Sequence, residues 1–183
     1  MTELMADFDF PDTMRLHPPR QPVIDGTEFR ATISAMASSV TVVTSGRGDQ
    51  RIGRTVTSML SLSANPPTLL VSIDIMSRLA DVIAKQGSYS LALLADDQAA
   101  VANAFAGRIE PADRFETASW STWPSGNPML LGAVTAFDCE VVGSIETGTH
   151  VLFAGAVIEA ETTTSRVPLI WQRHHYRGIT DLD

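Results

Sequence analysis

Hydroxyl side chains recur at almost every second position along Gly53-Arg54-Thr55-Val56-Thr57-Ser58-Met59-Leu60-Ser61-Leu62-Ser63, with apolar residues between them. Successive side chains of an extended chain point to opposite faces, so one face of this segment would present a row of hydroxyls. Such a row hydrogen-bonds a polyol chain or phosphate oxygens without needing charge. An ordinary solvent-facing strand carries the same residue types, and the pattern alone favours neither reading. Downstream, a strand expected over Thr68–Ile73 leads through Asp74-Ile75-Met76 to Ser77-Arg78 at a helix start. Free backbone N–H groups, a hydroxyl and a guanidinium would meet there, which makes a physically sound phosphate or pyrophosphate site. A plain N-cap beside an exposed arginine is the competing account. The two features gain weight from occurring together, one strand apart.

Other chemistries lack their residues. There is no G-x-G-x-x-G and no G-x-x-x-x-G-K-[ST], so neither a Rossmann fingerprint nor a P-loop is present. Lys85 is the only lysine and falls on a helix surface, which disfavours a Schiff base. His17, His150, His174 and His175 show no metal-ligand spacing, and His174 and His175, as strand neighbours, would face opposite ways, so no metal is expected. No base, nucleophile and orienting group can be read out as a serine-type triad. Cys139 stands alone, which excludes an intramolecular disulfide and fits a reducing, cytoplasmic setting. Thirteen Lys and Arg against 21 Asp and Glu give a net charge of −8, which repels nucleic acid and anionic lipid. No run approaches the roughly 18 apolar residues of a membrane span. The N-terminus, Met1-Thr2-Glu3-Leu4-Met5-Ala6-Asp7, has no signal-peptide pattern.

The elements that would position these residues follow from local pattern. With 183 residues, 44% apolar, the chain is long enough for one self-sufficient domain. Residues 1–24, with Pro11, Pro18, Pro19 and Pro22, read as an extended arm, and 25–183 as the folded domain. Asp25 and Glu28 suggest a capping box opening a helix whose stripe is Phe29, Ile33, Met36 and Val40. Val40-Thr41-Val42-Val43-Thr44 is a β-branched strand entering a hairpin at Ser45–Asp49, with return strands near Ile52–Thr57 and Thr68–Ile73. Ser77 caps a helix through Gln86 that turns Leu79, Val82 and Ile83 inward, and Gly87 stops it. A strand over Tyr89–Leu94 and a helix from Asp96 or Asp97 to Phe105, ended by Gly107, come next. Val134–Ile145 and Val151–Glu161 read as long strands joined by Glu146-Thr147-Gly148-Thr149-His150, with short strands at Leu169–Trp171 and Tyr176–Ile179. Many strands in hairpin order predict a mainly β (α+β) fold, a β-barrel with peripheral helices.

From about Phe29 to Ile179 the chain resembles the flavin-reductase-like family, the small NAD(P)H:flavin oxidoreductases of two-component monooxygenases. The resemblance is carried by Val40–Thr44, Gly53–Ser58, Ser61-Leu62-Ser63-Ala64-Asn65-Pro66-Pro67, Ser77-Arg78, Phe105-Ala106-Gly107 with Arg114-Phe115, Gly148-Thr149-His150, Phe153-Ala154-Gly155, Arg173 and Tyr176. It implies an FMN-binding split β-barrel that forms a homodimer. It also implies reduction of free FAD, with FMN the alternative, by NADH, with NADPH the alternative, and release to a flavin-dependent monooxygenase that need not form a complex.

Carried over by position, Thr55, Val56, Thr57, Ser58, Ser61, Leu62 and Ser63 line the flavin along one strand. Ser77 and Arg78 face the phosphate region, Phe105, Ala106 and Gly107 flank the nucleotide end, and Ser72, Asp74, Arg173 and Tyr176 complete the cofactor-binding set. His150 matches the histidine beside the flavin where nicotinamide approaches, the one catalytic assignment. Three positions depart from the pattern: Thr149 stands where an aspartate is frequent, Leu79 replaces a hydroxyl residue, and Arg54 occupies a site that is small or apolar elsewhere. A flavin-binding electron carrier, holding its cofactor tightly and turning over little NAD(P)H, is the alternative function.

Overall fold

A computed structural model describes residues 19–180. Most of the expected arm, with Pro11 and Pro18, lies outside the described residues; Pro19 to Ile24 are exposed and without regular structure. Asp25 caps α1 (Gly26–Ile33) by accepting from the Thr27 N–H at 2.7 Å. The apolar stripe expected along this helix is largely uncovered. Phe29, Ile33 and Met36 are 53%, 43% and 58% exposed, and of the four only Val40 is buried. The helix ends after two turns, so Met36 and Val40 lie beyond it and the four-three-four spacing never forms one face.

The strands follow in chain order: β1 (Ser38–Ser39), β2 (Thr41–Ser45), β3 (Ile52–Val56), β4 (Met59–Ala64) and β5 (Pro67–Asp74). β2 is buried on both faces, which is why its sequence is continuously β-branched and does not alternate. Helix α2 (Arg78–Gln86) is capped by Ser77, whose Oγ accepts from the Leu79 N–H, and stops at Gly87, where a φ of 66° suits glycine. It buries Leu79, Ala80 and Ile83; Val82 is half-buried. β6 (Ser88–Leu93) leads to α3 (Ala99–Asn103), a wider turn over Ala104–Arg108, then β7 (Trp120–Thr122) and β8 (Pro128–Leu130). The long hairpin β9 (Thr135–Glu146) and β10 (His150–Thr162) and the short one β11 (Ile170–Gln172) and β12 (His175–Arg177) complete the chain.

Seven strands form one sheet in the order β3-β2-β6-β9-β10-β5-β4, every pair antiparallel. The two strands at its ends, β3 and β4, are halves of one segment separated only by Thr57-Ser58. That segment pairs with β2 before the bend and with β5 after it. The expectation of a mainly β, hairpin-built fold with peripheral helices is met. Two apolar cores flank β2: Val42 packs with Leu94, Phe105 and Leu169, and Val43 with Ile73, Leu79 and Tyr89. Adjacent residues of one strand thus feed opposite cores. A three-stranded sheet, β1-β11-β12, sits beside the bend. Among the described residues no helix is long and apolar enough to cross a membrane.

Candidate functional site

The Thr57-Ser58 bend opens a cavity of about 500 Å³, lined on one side by Arg54, Thr55, Val56, Thr57 and Ser58. Ser72 and Asp74 from β5, His150 from β10, and Trp171 and Tyr176 from the last hairpin complete it, with Ala106 and Arg108 at one end. The sequence therefore brings Thr55, Val56, Thr57, Ser58, Ser72, Asp74, Ala106, Tyr176 and His150 to one place from five separate segments.

Their hydroxyls are not equivalent. Thr55 Oγ1 donates to the Ala102 carbonyl at 2.7 Å, tying β3 to α3. Ser58 Oγ donates to the Ser72 carbonyl at 2.9 Å, and the Ser72 N–H donates back to the Ser58 carbonyl, which fixes the bend against β5. Thr57 is exposed, and among the described residues its hydroxyl has no partner. Of Thr55, Thr57 and Ser58, Thr57 is the one whose hydroxyl makes no internal bond and is left for a ligand.

His150 opens β10 and pairs across the strands with Asp74. Its Nδ1 is 3.0 Å from Thr149 Oγ1, so the residue that replaces the frequent aspartate orients the imidazole itself. Trp171 and Tyr176 meet with ring centroids 4.9 Å apart at 60°. Tyr176 Oη donates to Asn103 Oδ1 at 3.0 Å, anchoring the hairpin to α3. Burial raises the Tyr176 pKa and Arg108 opposes the shift; the net effect keeps the phenol protonated.

A second cavity of about 350 Å³ continues from the first, sharing Arg54 and Ala106 with it. Ser77, Arg78, Phe105, Gly107 and Arg114 line it, so the start of α2 and the expected nucleotide-end residues face one another. Gly53 makes the close approach there, since a Cβ at that position would fall 2.8 Å from the Phe105 ring. Phe105 is 1% exposed and forms wall.

The remaining expected residues lie elsewhere. Ser61 and Ser63 line a separate, largely apolar cavity with Met59, Leu60 and Phe137, and Leu62 is 54% exposed. The bend at Thr57-Ser58 and a register shift between Ser61 and Ser63 break the alternation that would have kept the row on one face. Arg173 occupies the turn between β11 and β12 with φ 48°, its N–H bonded to the Ser34 carbonyl. His174 shares that turn at φ 63°, and its strand-neighbour geometry with His175 does not arise. Among the described residues no three His, Cys, Asp or Glu cluster as metal ligands. Sequence reasoning missed Trp171 as a cavity residue and the Thr149 contact; Trp171, five residues before Tyr176, gave a signal only once the hairpin was known.

A family model described as flavin reductase like domain matches residues 33–180. The chain is 35% identical over 161 residues to an FMN reductase (NADH) RutF of Ancylobacter novellus, covering 87% of this chain and 88% of that protein. It is 33% identical over 153 residues to the reductase component of an FADH(2)-dependent resorcinol hydroxylase of a Rhizobium species, covering 82% and 86%. Among solved structures, BorF, the flavin reductase component of a bacterial two-component tryptophan halogenase, superposes with a TM-score of 0.79 at 32% identity. That match covers 86% of this chain and all of that one.

Proposed function

The chain belongs to the flavin reductase like family, and from that premise we propose that it is an NADH-dependent flavin reductase. It takes up free FAD or FMN, reduces it with NADH (NADPH being the alternative donor), and releases it to a flavin-dependent monooxygenase. The observation that carries this reading is the continuity of the two cavities through Arg54 and Ala106. An aromatic and hydroxyl-bearing chamber opens directly onto a cationic helix start, the sequence of surfaces that ring, polyol and phosphate need.

Hydride transfer from nicotinamide C4 to flavin N5 is chemistry the two ligands supply between them. The chain's task is to hold two rings in register and exclude unproductive geometries. Thr57 offers its free hydroxyl to the ring edge or polyol. Ser77 Oγ accepts from the Leu79 N–H, which leaves its proton for a phosphate oxygen, and Arg78 adds charge beside it. His150, held by Thr149, stands at the mouth to hydrogen-bond the nicotinamide carboxamide. Thr55 and Ser58 act through the backbone: they position the bend that carries Thr57.

The continuity of β3 and β4 across the bend supports a split β-barrel. Val23, Ile24, Phe29, Ile33 and Met36, exposed together along α1 and its flanks, support a homodimer that covers them. The buried lone Cys139 suits a reducing, cytoplasmic setting. Pro19 to Ile24, exposed and without regular structure, suit an arm outside the domain. Titrating FMN or FAD fluorescence with the protein tests the site: a saturable change is expected, and a flat titration with both flavins would overturn it.

A further inference from the structure

Two walls of the first cavity are tied to successive residues of α3. Thr55 Oγ1 on β3 donates to the Ala102 carbonyl at 2.7 Å, and Tyr176 Oη on β12 donates to Asn103 Oδ1 at 3.0 Å. The helix that receives both bonds is itself fixed, because Val101, Ala102 and Ala104 are buried in the core that also holds Val42. Its continuation closes the same cavity with Ala106 and Arg108. One buried turn therefore sets the distance between the hydroxyl-bearing bend and the aromatic hairpin.

The aromatic wall is a single unit. Trp171 and Tyr176 stand directly opposite each other across β11 and β12, with ring centroids 4.9 Å apart, and both line the cavity. The hairpin is also held on its other side. The Gln172 side-chain amide donates to the Ala35 carbonyl at 3.1 Å, the Arg173 N–H donates to the Ser34 carbonyl, and Ser38 of β1 pairs with Trp171. Within the aromatic pair the tasks divide: Tyr176 has spent its hydroxyl proton on Asn103, whereas Trp171 presents a half-buried indole to the cavity. The other two tryptophans are engaged elsewhere, Trp123 with its Nε1 bonded to Ser90 Oγ and Trp120 packed on Phe105 and Phe115.

We propose that Trp171 is the side chain that meets the flavin ring, and that Asn103 is a positioning residue that holds it there through Tyr176. Asn103 is not part of the cavity lining, so it reaches the ligand only along that chain of contacts. The inference rests on the flavin-reductase reading and deepens it, by naming the ring contact and the support that aims it.

FMN is titrated with wild type, Trp171→Phe, Trp171→Leu, Asn103→Ala, Asn103→Asp, Tyr176→Phe and the Asn103→Ala/Tyr176→Phe double variant. Each titration reads the Kd and the emission of the fully bound flavin, and urea unfolding reads stability. FMN serves as the probe because the adenine of FAD quenches its own flavin. An indole in contact with an excited flavin quenches it by electron transfer, which a phenyl ring cannot do. Trp171→Phe should therefore raise the bound emission severalfold at nearly unchanged affinity. Trp171→Leu should also weaken binding about 2–10-fold, the range of one aromatic contact.

Asn103→Ala should raise the bound emission too, with a Kd about 2–10-fold higher for one net hydrogen bond. Tyr176→Phe should match it, and the double variant should be no worse than either single one. Asn103→Asp, which still accepts from Tyr176, should restore the wild-type emission. Should Asn103→Ala not fold, Tyr176→Phe, which keeps the ring's packing, carries the same comparison. Lowered stability with wild-type bound emission in both Asn103→Ala and Tyr176→Phe overturns the positioning role, and unchanged emission in Trp171→Phe overturns the ring contact while the flavin-reductase reading stands. A wild type that binds no FMN overturns that reading, and the ring contact with it.

Discussion

The Thr149 hydroxyl lies 3.0 Å from His150 Nδ1, on the residue immediately before it. A carboxylate at that position accepts only and would demand a proton on Nδ1; a hydroxyl can donate or accept, so it fixes the ring's direction without fixing its tautomer. The imidazole is thereby aimed as a hydrogen-bonding group. That suits a reaction in which the ligands themselves exchange the hydride.

His150→Ala should therefore impair nicotinamide use more than flavin binding. Thr149→Val should do the same to a smaller degree, roughly 2–10-fold in kcat/KM for NADH, the range of one net hydrogen bond. Steady-state kinetics in NADH at saturating flavin, set beside flavin Kd values, check both. Unchanged kinetics in His150→Ala would remove His150 from the site.

Two neighbouring threonines should part company. Thr57→Val should weaken flavin binding by about 0.5–1.5 kcal/mol with little change in stability, because its hydroxyl serves no internal bond. Thr55→Val should instead lower stability by about 1 kcal/mol, since the Ala102 carbonyl loses its donor. Flavin titration and urea unfolding of the two variants make the comparison.

Gly53→Ala should destabilise the fold by about 1–3 kcal/mol through overpacking. The added methyl would fall 2.8 Å from both the Phe105 ring and Thr44 Cγ2, neither of which is the free end of a flexible chain. Denaturant unfolding reads the cost; an unchanged midpoint would mean the β3 backbone has room to move off Phe105.

Cys139 should resist thiol reagents in the native state. Burial, with a smaller contribution from Asp138, pushes its pKa up to about 12. The neutral thiol therefore persists through pH 7–9, and a thiolate is the reactive form. A disulfide reagent should label it slowly in buffer and promptly in denaturant; rapid native labelling would contradict the burial.

The sequence carried the strands of the large sheet well because β2, β5, β6, β9 and β10 are long, apolar or β-branched, and punctuated by Gly and Pro. The start of α2 was equally plain, since Ser77, Arg78 and Gly87 each act locally. Helix α1 misled because periodicity reports an apolar face without saying what covers it. The hydroxyl row misled further along: Thr55 through Ser58 do line the cavity, but the bend and register shift that carry Ser61 and Ser63 away leave no mark on the alternation itself.

NADH oxidation followed by absorbance, with purified protein and no flavin, FMN or FAD in parallel, tests the central claim most directly. The account predicts slow oxidation without flavin and rapid turnover on adding it, faster at low concentration with FAD than with FMN. No turnover with either flavin and either NADH or NADPH would contradict it and leave a flavin carrier in its place.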